Sequence, residues 1–383
     1  MELTREEEAA LAGEHGEVME TAYRVLVATG EAAGAERLVD VEWAHLSGVN
    51  YNTIGEAGEQ FLATFSQDAR VRIRASLNPM GYDIDSVSRY DLDDDFISKQ
   101  ESIRRSYQRM GVTPTFSCIP YEILKTPKKG TQVALAESNA AIYANSVDGL
   151  HTDRESAFSA LASAITGKSP YSALREDHEP DTAIRTDIAQ PDDLEFGLLG
   201  YFAGKVADQS VAILGAAPHD QRNRKALCGG IGTSGTCGRF TTECSKDAEM
   251  VDFGREELCT ARDELNTADD GDIITLGSPQ LGLEEVADLS SRLSNRRFKK
   301  RCMVFCPRAV QEQIKQYGYK EQLEHAGCEV LHDSCVCLTP LINPDEVDSV
   351  ITNSVKGAYY LNKSTGVNVN LKPLAEIIRD ETR

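Results

Sequence analysis

Positive charge is scarce in this chain: 40 Lys and Arg stand against 61 Asp and Glu, a formal charge of −21 over 383 residues. With no basic stripe to track a phosphate backbone, nucleic acid is excluded as a partner. The acidity fits either a salt-rich cytosol or a well-solvated surface. Long apolar runs are missing too. None approaches the ~20 residues that span a bilayer, and the acidic start "MELTREEEAA" lacks the basic and apolar regions of a signal peptide. No membrane partner is expected, and a cytoplasmic location follows, where disulfides are rare. Repeats, low-complexity tracts and coiled-coil heptads are absent. So is a Walker A sequence with its Lys-Ser/Thr ending, and so is any pair of C-x-x-C motifs, which argues against a zinc ribbon. The 7 histidines are scattered.

What is present is ordinary globular composition, 41% hydrophobic and 26% charged, in a chain long enough for two or three domains. The 10 cysteines need an account other than disulfides. Buried apolar thiols are the default for most, and metal or cluster ligation is open for a few.

Thr4 and Glu7 form a capping box that predicts an early helix. A second helix is expected from about Glu14 to Thr29, with Gly30 as its stop. "VRIRA" (Val71–Ala75) alternates like a strand, and "DDDFISKQESIRRSYQRMG" and "SAFSALASAITG" read as helices ending in glycine. The polar segment Arg175–Asp193 is a candidate linker. Beyond it the rhythm is clearer. "DIITLG", "CMVF" and "CEVLHDSCVCL" read as strands, with helical patterns between them, which indicates α/β layers around a largely parallel sheet. Two parts are expected: 1–200, an N-terminal α/β part carrying Cys118, and 201–383, a C-terminal α/β part carrying Ser278, Cys335 and Lys356.

In parallel sheets ligands gather beyond the carboxyl ends of the strands. Ser278, Cys306 and Cys335 fall there. Cys335 and Cys337, two apart, would face one side of a strand, toward either a site or the core. "GIGTSG" (Gly230–Gly235) matches a dinucleotide loop only if a strand precedes it; "QRNRKALCG" before it looks helical, so a flexible connection is expected. His45 reads as an anion binder, an acid or a hydrogen-bonded structural residue. The polar residues of "ALAESNAAIYANSVDG" sit in a small-residue apolar frame, so they form an internal network or line a pocket. Lys356 in "ITNSVKGAYY" is either an anion clamp or a surface lysine beside a turn.

Several segments occur together in order: "AERLVDVEWAHLSGVNYNTIGEAG", "SLNPMGYDID", "SCIPY", "AESNAAIYANSVDGLHTDRE", "AITGKSPYSAL", "GLLGYFAGK", "DSCVCLTPL" and "TNSVKGAYY". Over nearly the whole chain they resemble the large subunit of the aconitase X family. "HLSGVNYNTIGEAG" and "NPMGYD" are closest to its archaeal phosphomevalonate dehydratase branch; a second branch dehydrates cis-3-hydroxyproline. The resemblance implies an aconitase-like fold of several α/β units around a central cleft, lacking the swivelling small domain. It therefore also implies a separate small subunit that brings the serine acting as base. By motif, the three cysteines that hold an iron–sulfur cluster (of 4Fe-4S type) fall on Cys118, Ser278 and Cys335. Substrate residues fall on Gly48, Val49, Asn50, Asn78, Pro79, Glu137, Ser138 and Lys356.

The implied reaction is dehydration of a small anionic 3-hydroxy acid such as (R)-5-phosphomevalonate to trans-anhydromevalonate 5-phosphate, a step of isoprenoid biosynthesis by a modified mevalonate pathway. The alternatives are a hydroxyproline-type dehydratase or a cluster-free, non-catalytic relative. The last arises from the chain's departures. "GSPQ" stands where the family has glycine-cysteine-proline-histidine, so the middle ligand is Ser278 and the histidine is Gln280. "TTEC" replaces threonine-proline-glutamate-alanine, and His151 stands where the family has arginine. A nearby thiol is the remedy if serine fails as a ligand. Cys306 is the preferred substitute by sequence because it follows a strand and precedes a proline; Cys337 is the other.

Overall fold

Thr4 opens the first helix as its spacing requires. Its Oγ1 accepts the Glu7 N–H at 3.3 Å and Glu7 Oε2 accepts the Thr4 N–H at 2.8 Å, which caps Arg5–Leu11 at both donors. In this computed structural model, residues 1–383 are described except His178, Ser245 and Leu338. The next helix, Glu17–Ala32, runs through the expected stop at Gly30. Gly30 serves packing instead: a Cβ there would meet Met1 Sδ at 2.9 Å and Pro170 Cβ at 3.2 Å. Helices Asp94–Arg109 and Ala157–Thr166 form where expected, the first capped by Asp93 and the second closed by Gly167 in the left-handed region. The strand expected at 71–75 forms slightly later, at Arg74–Leu77.

The parallel strands sort into three separate sheets, each the centre of one unit, numbered first to third in chain order. A three-stranded sheet orders Arg74–Leu77, Trp43–Leu46 and Ala134–Leu135. A four-stranded sheet orders Arg239–Thr241, Ser210–Leu214, Thr182–Thr186 and Glu249–Phe253. A five-stranded sheet orders Cys328–Leu331, Arg301–Phe305, Ile273–Leu276, Ser349–Thr352 and Asn368–Leu371. All their pairings are parallel, and the central Ile273–Leu276 is buried throughout, as a sheet covered on both faces demands. A small antiparallel pair, Leu38–Asp40 with Lys168–Pro170, closes the first unit.

Two expectations change here. The segment taken as a linker contains Thr182–Thr186, a strand paired on both sides. Arg175 at its start is buried and ion-paired with Glu155 at 2.8 Å. The "GIGTSG" glycines do not form a flexible connection: Gly230 and Gly232 lie within helix Gln221–Thr233. That helix packs against Asp193–Val206, and a Cβ on Gly230 would meet Tyr201 N at 2.7 Å. Glycine is required because the two backbones touch. Position 200, where two parts were expected to divide, falls inside Asp193–Val206.

The first and third units are fastened beside the site. Met80 N donates to Asp333 O at 2.8 Å, His332 N donates to Asp83 Oδ2 at 2.9 Å, and Arg308 Nη1 donates to Asp85 Oδ2 at 2.7 Å. The loop after Arg74–Leu77 is thereby held against the loop after Cys328–Leu331. Among the described residues no helix is long and apolar enough to cross a membrane.

Candidate active site

Each sulfur-bearing loop leaves the end of a buried strand or abuts one. Ser278 follows Ile273–Leu276 through Gly277, whose φ of +105° and contact with the Phe305 carbonyl leave no room for a side chain. Cys335 falls beyond the carboxyl end of its strand as expected, and the strand-like run read through it ends earlier. The strand ends at Leu331, Asp333 turns at φ +59°, and Cys335 and Cys337 sit in the loop beyond. Cys118 precedes the short helix Pro120–Ile123, and its loop is tied to the first sheet by Ser117 N donating to Leu77 O at 3.0 Å.

These loops meet. Cys118, Ile119 and Cys335 form one buried cluster with Cys337 packed against it. Ser278 Oγ lies 3.1 Å from Cys337 Sγ and 3.8 Å from Cys335 Sγ. Hydrogen bonds from Cys118 and Cys337 hold the Cys335 thiol well below its usual range. Burial and the same neighbour push Cys118 up. Cys306 is elsewhere. Its N–H bonds Leu331 O at 3.0 Å, extending the strand by one residue. Its side chain therefore falls on the same face as Cys302 and Val304, in the core of the third unit, with its sulfur 3.4 Å from His332 Nδ1. The expected substitute does not face the site.

Opposite the thiols runs a chain of polar contacts. Trp43 Nε1–H donates to Ser76 Oγ at 3.0 Å, and Ser76 Oγ lies 2.8 Å from His45 Nδ1. His45 Nε2 lies 3.0 Å from Asn78 Oδ1, and Asn78 Nδ2 donates to Glu137 Oε2 at 2.7 Å. The Asn78 oxygen can only accept, so His45 carries its proton on Nε2 and takes the Ser76 hydroxyl on Nδ1. Burial lowers the His45 pKa to about 4, so the ring is neutral and structural rather than an anion binder. Glu137 also accepts from Asn139 Nδ2 at 2.9 Å and pairs with Lys356. Lys356 is buried, not a surface residue; burial opposes its charge, and Glu137 with nearby thiols more than restores it. The frame around "ESNAAIYANS" serves both expected roles: Glu137 and Ser138 line the cleft, while Asn145 is tied to Thr152 O and Gly238 O at 3.0 Å.

The cleft between these faces has a volume of about 340 Å³. Gly48, Val49 and Asn50 form one edge, with Asn78 and Pro79 beside them. Glu137, Ser138 and Lys356 form the floor, and Cys118, Cys335 and Cys337 complete the wall. Ser278 opens on an adjoining pocket that shares Lys356. His151 lines neither space. Two supports escaped sequence reading. Gln280 N donates to Cys118 Sγ at 3.2 Å, and its side-chain nitrogen donates to Ser334 O at 2.9 Å. Lys225 Nζ donates to Gln280 O at 3.0 Å and Glu122 Oε1 at 2.9 Å. Both join positions more than fifty residues apart, and no local pattern marks them.

Family models for the aconitase X first, second and third domains match residues 1–177, 180–260 and 271–383. The chain belongs to the aconitase X family. The phosphomevalonate dehydratase large subunit of Methanocaldococcus jannaschii is 32% identical, covering 99% of this chain and 100% of that protein. The cis-3-hydroxy-L-proline dehydratase of Pseudomonas aeruginosa is 29% identical over 96% of this chain but 68% of its own length. The crystal structure of Thermococcus kodakaraensis aconitase X in its holo-form superposes with a TM-score of 0.90 at 30% identity, covering 100% of both chains. The aconitase X architecture expected for the chain is therefore the one it adopts.

The family implies an iron–sulfur cluster, and the donor set suits one. Among the described residues no group of three or more His, Cys, Asp or Glu is arranged around a single metal ion. A cluster takes each thiolate on a different iron, however, and the thiols of Cys118, Cys335 and Cys337 facing one cleft are the soft donors it uses.

Proposed function

We propose that this chain is the large subunit of a hydro-lyase that removes water from a small anionic 3-hydroxy acid, phosphomevalonate first among them. The observation that carries the reading is the meeting of buried thiols with the Asn78–Glu137–Lys356 network across one cleft. Full-length coverage of relatives named phosphomevalonate dehydratase large subunit supports the substrate and a small-subunit partner. The setting would be the cytoplasm.

Cys118 and Cys335 would hold a 4Fe-4S cluster beside Ser278. When bound, the cluster supplies a Lewis-acidic iron with an open position for the substrate hydroxyl. The rest falls to the chain's own groups. Lys356 holds the substrate's phosphate or carboxylate as a point charge, sharing it with Glu137. Neutral His45 and the Glu137 carboxylate fix the Asn78 amide from both ends, so Asn78 meets substrate in one orientation. The Gly48–Asn50 turn offers backbone N–H groups to the same anion. The base is a serine of the small subunit, facing the open side of the cleft.

Anaerobic co-purification with a swivel-type small subunit, then iron and sulfide analysis and product detection with phosphomevalonate, tests this. Turnover by iron-free protein, or a cluster-loaded complex inert to every 3-hydroxy acid, rejects it. The Glu137–Lys356 pair also presents both charges to a zwitterion, which favours cis-3-hydroxyproline as the second substrate to assay.

A further inference from the structure

The cluster reading leaves one position short of a thiol, because Ser278 stands at the middle ligand. A hydroxyl is a harder donor than a thiol and gives up its proton less readily, so it holds iron–sulfur clusters poorly. Ser278 is held at its backbone. Its carbonyl accepts the Ser354 hydroxyl, and a Cβ on Gly357 would come within 3.4 Å of its own Cβ, so little space adjoins it on that side.

The remaining cysteines can be sorted by place. Cys228 and Cys237 are in the core of the second unit; Cys302, Cys306 and Cys328 are in that of the third. Cys244 and Cys259 are exposed and line neither the cleft nor the pocket beside it. Among the described residues only Cys337 joins Cys118 and Cys335 in lining the cleft, and its sulfur lies 3.1 Å from the Ser278 hydroxyl. The loop beyond Leu331 turns so that thiols two residues apart both face the cleft. The sulfur missing at 278 is thus supplied, within hydrogen-bond reach of the vacated position, by another loop.

We infer that Cys337 is the third cluster thiolate of this chain and that the Ser278 hydroxyl donates a hydrogen bond to its sulfur. On assembly the Cys337 S–H proton leaves to solvent as the sulfur binds iron. The inference rests on the cluster reading above. It makes the C-V-C pair a two-ligand loop and turns the serine from ligand into a donor that tunes one.

The experiment is anaerobic reconstitution with iron and sulfide of the chain with its small subunit. Iron and acid-labile sulfide per chain are measured, with visible absorbance and electron paramagnetic resonance. Wild type is compared with Cys337→Ala, Ser278→Ala, Cys306→Ala and Cys118→Ala. Cys337→Ala and Cys118→Ala are expected to fall to background iron. Ser278→Ala keeps its iron with a shifted resonance spectrum, and Cys306→Ala matches wild type. Circular dichroism checks that each variant folds. The double variant Ser278→Cys with Cys337→Ala, which returns the thiol to the middle position, regains iron. Full iron in Cys337→Ala, or loss confined to Ser278→Ala, overturns the assignment alone. Wild type that takes up no iron overturns the cluster reading and the assignment with it.

Discussion

The backbone N–H of Gln280 points at the Cys118 sulfur from 3.2 Å, although the two residues lie on different units of the fold. The Gln280 side chain then spans to Ser334 O and Phe116 O at 2.9 and 3.3 Å. One residue of the Ser278 loop therefore braces both loops that carry the facing thiols. Replacing Gln280 by Leu strands two buried carbonyls, each costing roughly 1–3 kcal/mol. Urea unfolding should show a loss of about 2–6 kcal/mol for the two together, and Cys118 should alkylate faster in the folded state. Unchanged stability and reactivity would remove Gln280 from its bracing role.

Lys356 and Glu137 are a buried ion pair, and removing one partner strands the other charge. Lys356→Met should cost about 3–5 kcal/mol. Much of that should return in the double variant with Glu137→Gln, because no uncompensated charge remains and the Asn78 amide keeps an acceptor. Both variants should lose anion binding, read as a raised KM. Additive losses in a double-mutant cycle would show that the two groups do not act as a pair.

Arg308 holds Asp333 and Asp85 across the seam between the first and third units, with Nη1 2.7 Å from Asp85 Oδ2. Asp333 is fully buried at the root of the Cys335 loop. Arg308→Ala should destabilise by about 3–5 kcal/mol, as a stranded buried charge does. It should also speed chelator removal of iron from the loaded complex several-fold. Arg308→Lys keeps the charge but loses the fork, so an intermediate effect is expected. Iron loss at the wild-type rate from Arg308→Ala would separate the clamp from the site.

How far the sequence could be read depends on whether neighbours or distant segments decide a position. Ile273–Leu276 and Arg301–Phe305 were legible because buried parallel strands are apolar runs closed by glycine or proline. Thr182–Thr186 was not, since its two apolar residues, Ala183 and Ile184, are a short run inside a polar, proline-bearing stretch. Gly30 and Gly230 misled for one reason: each is glycine because another segment presses against it, not because the chain turns. The same limit governs the site. Cys118, Ser278 and Cys335 could be named from motifs and strand ends. Cys306 was preferred to Cys337 as the substitute and faces the core instead, because one extra ladder bond, Cys306 N to Leu331 O, sets the side of its sulfur and no local pattern shows it.

His45 ties the site to pH. Unfolded, its ring protonates near the ordinary 6.5; folded, burial delays protonation to about 4. The unfolded chain therefore binds this proton first, and the contribution is whole above pH 6.5 and lost as pH falls toward 4. A shift of that size is worth about 3 kcal/mol. His45→Asn, which keeps a polar group between Ser76 and Asn78, has no such proton to bind. Carboxylates titrate in both proteins, so the comparison isolates the ring. Wild type should lose about 3 kcal/mol more than His45→Asn between pH 7 and 4 in parallel urea titrations. Activity should fall over the lower part of the same range, because a charged ring can no longer accept the Ser76 hydroxyl that fixes Asn78. Identical slopes for the two proteins would mean that His45 titrates normally and that the Trp43–Ser76–His45–Asn78 chain does not hold it neutral.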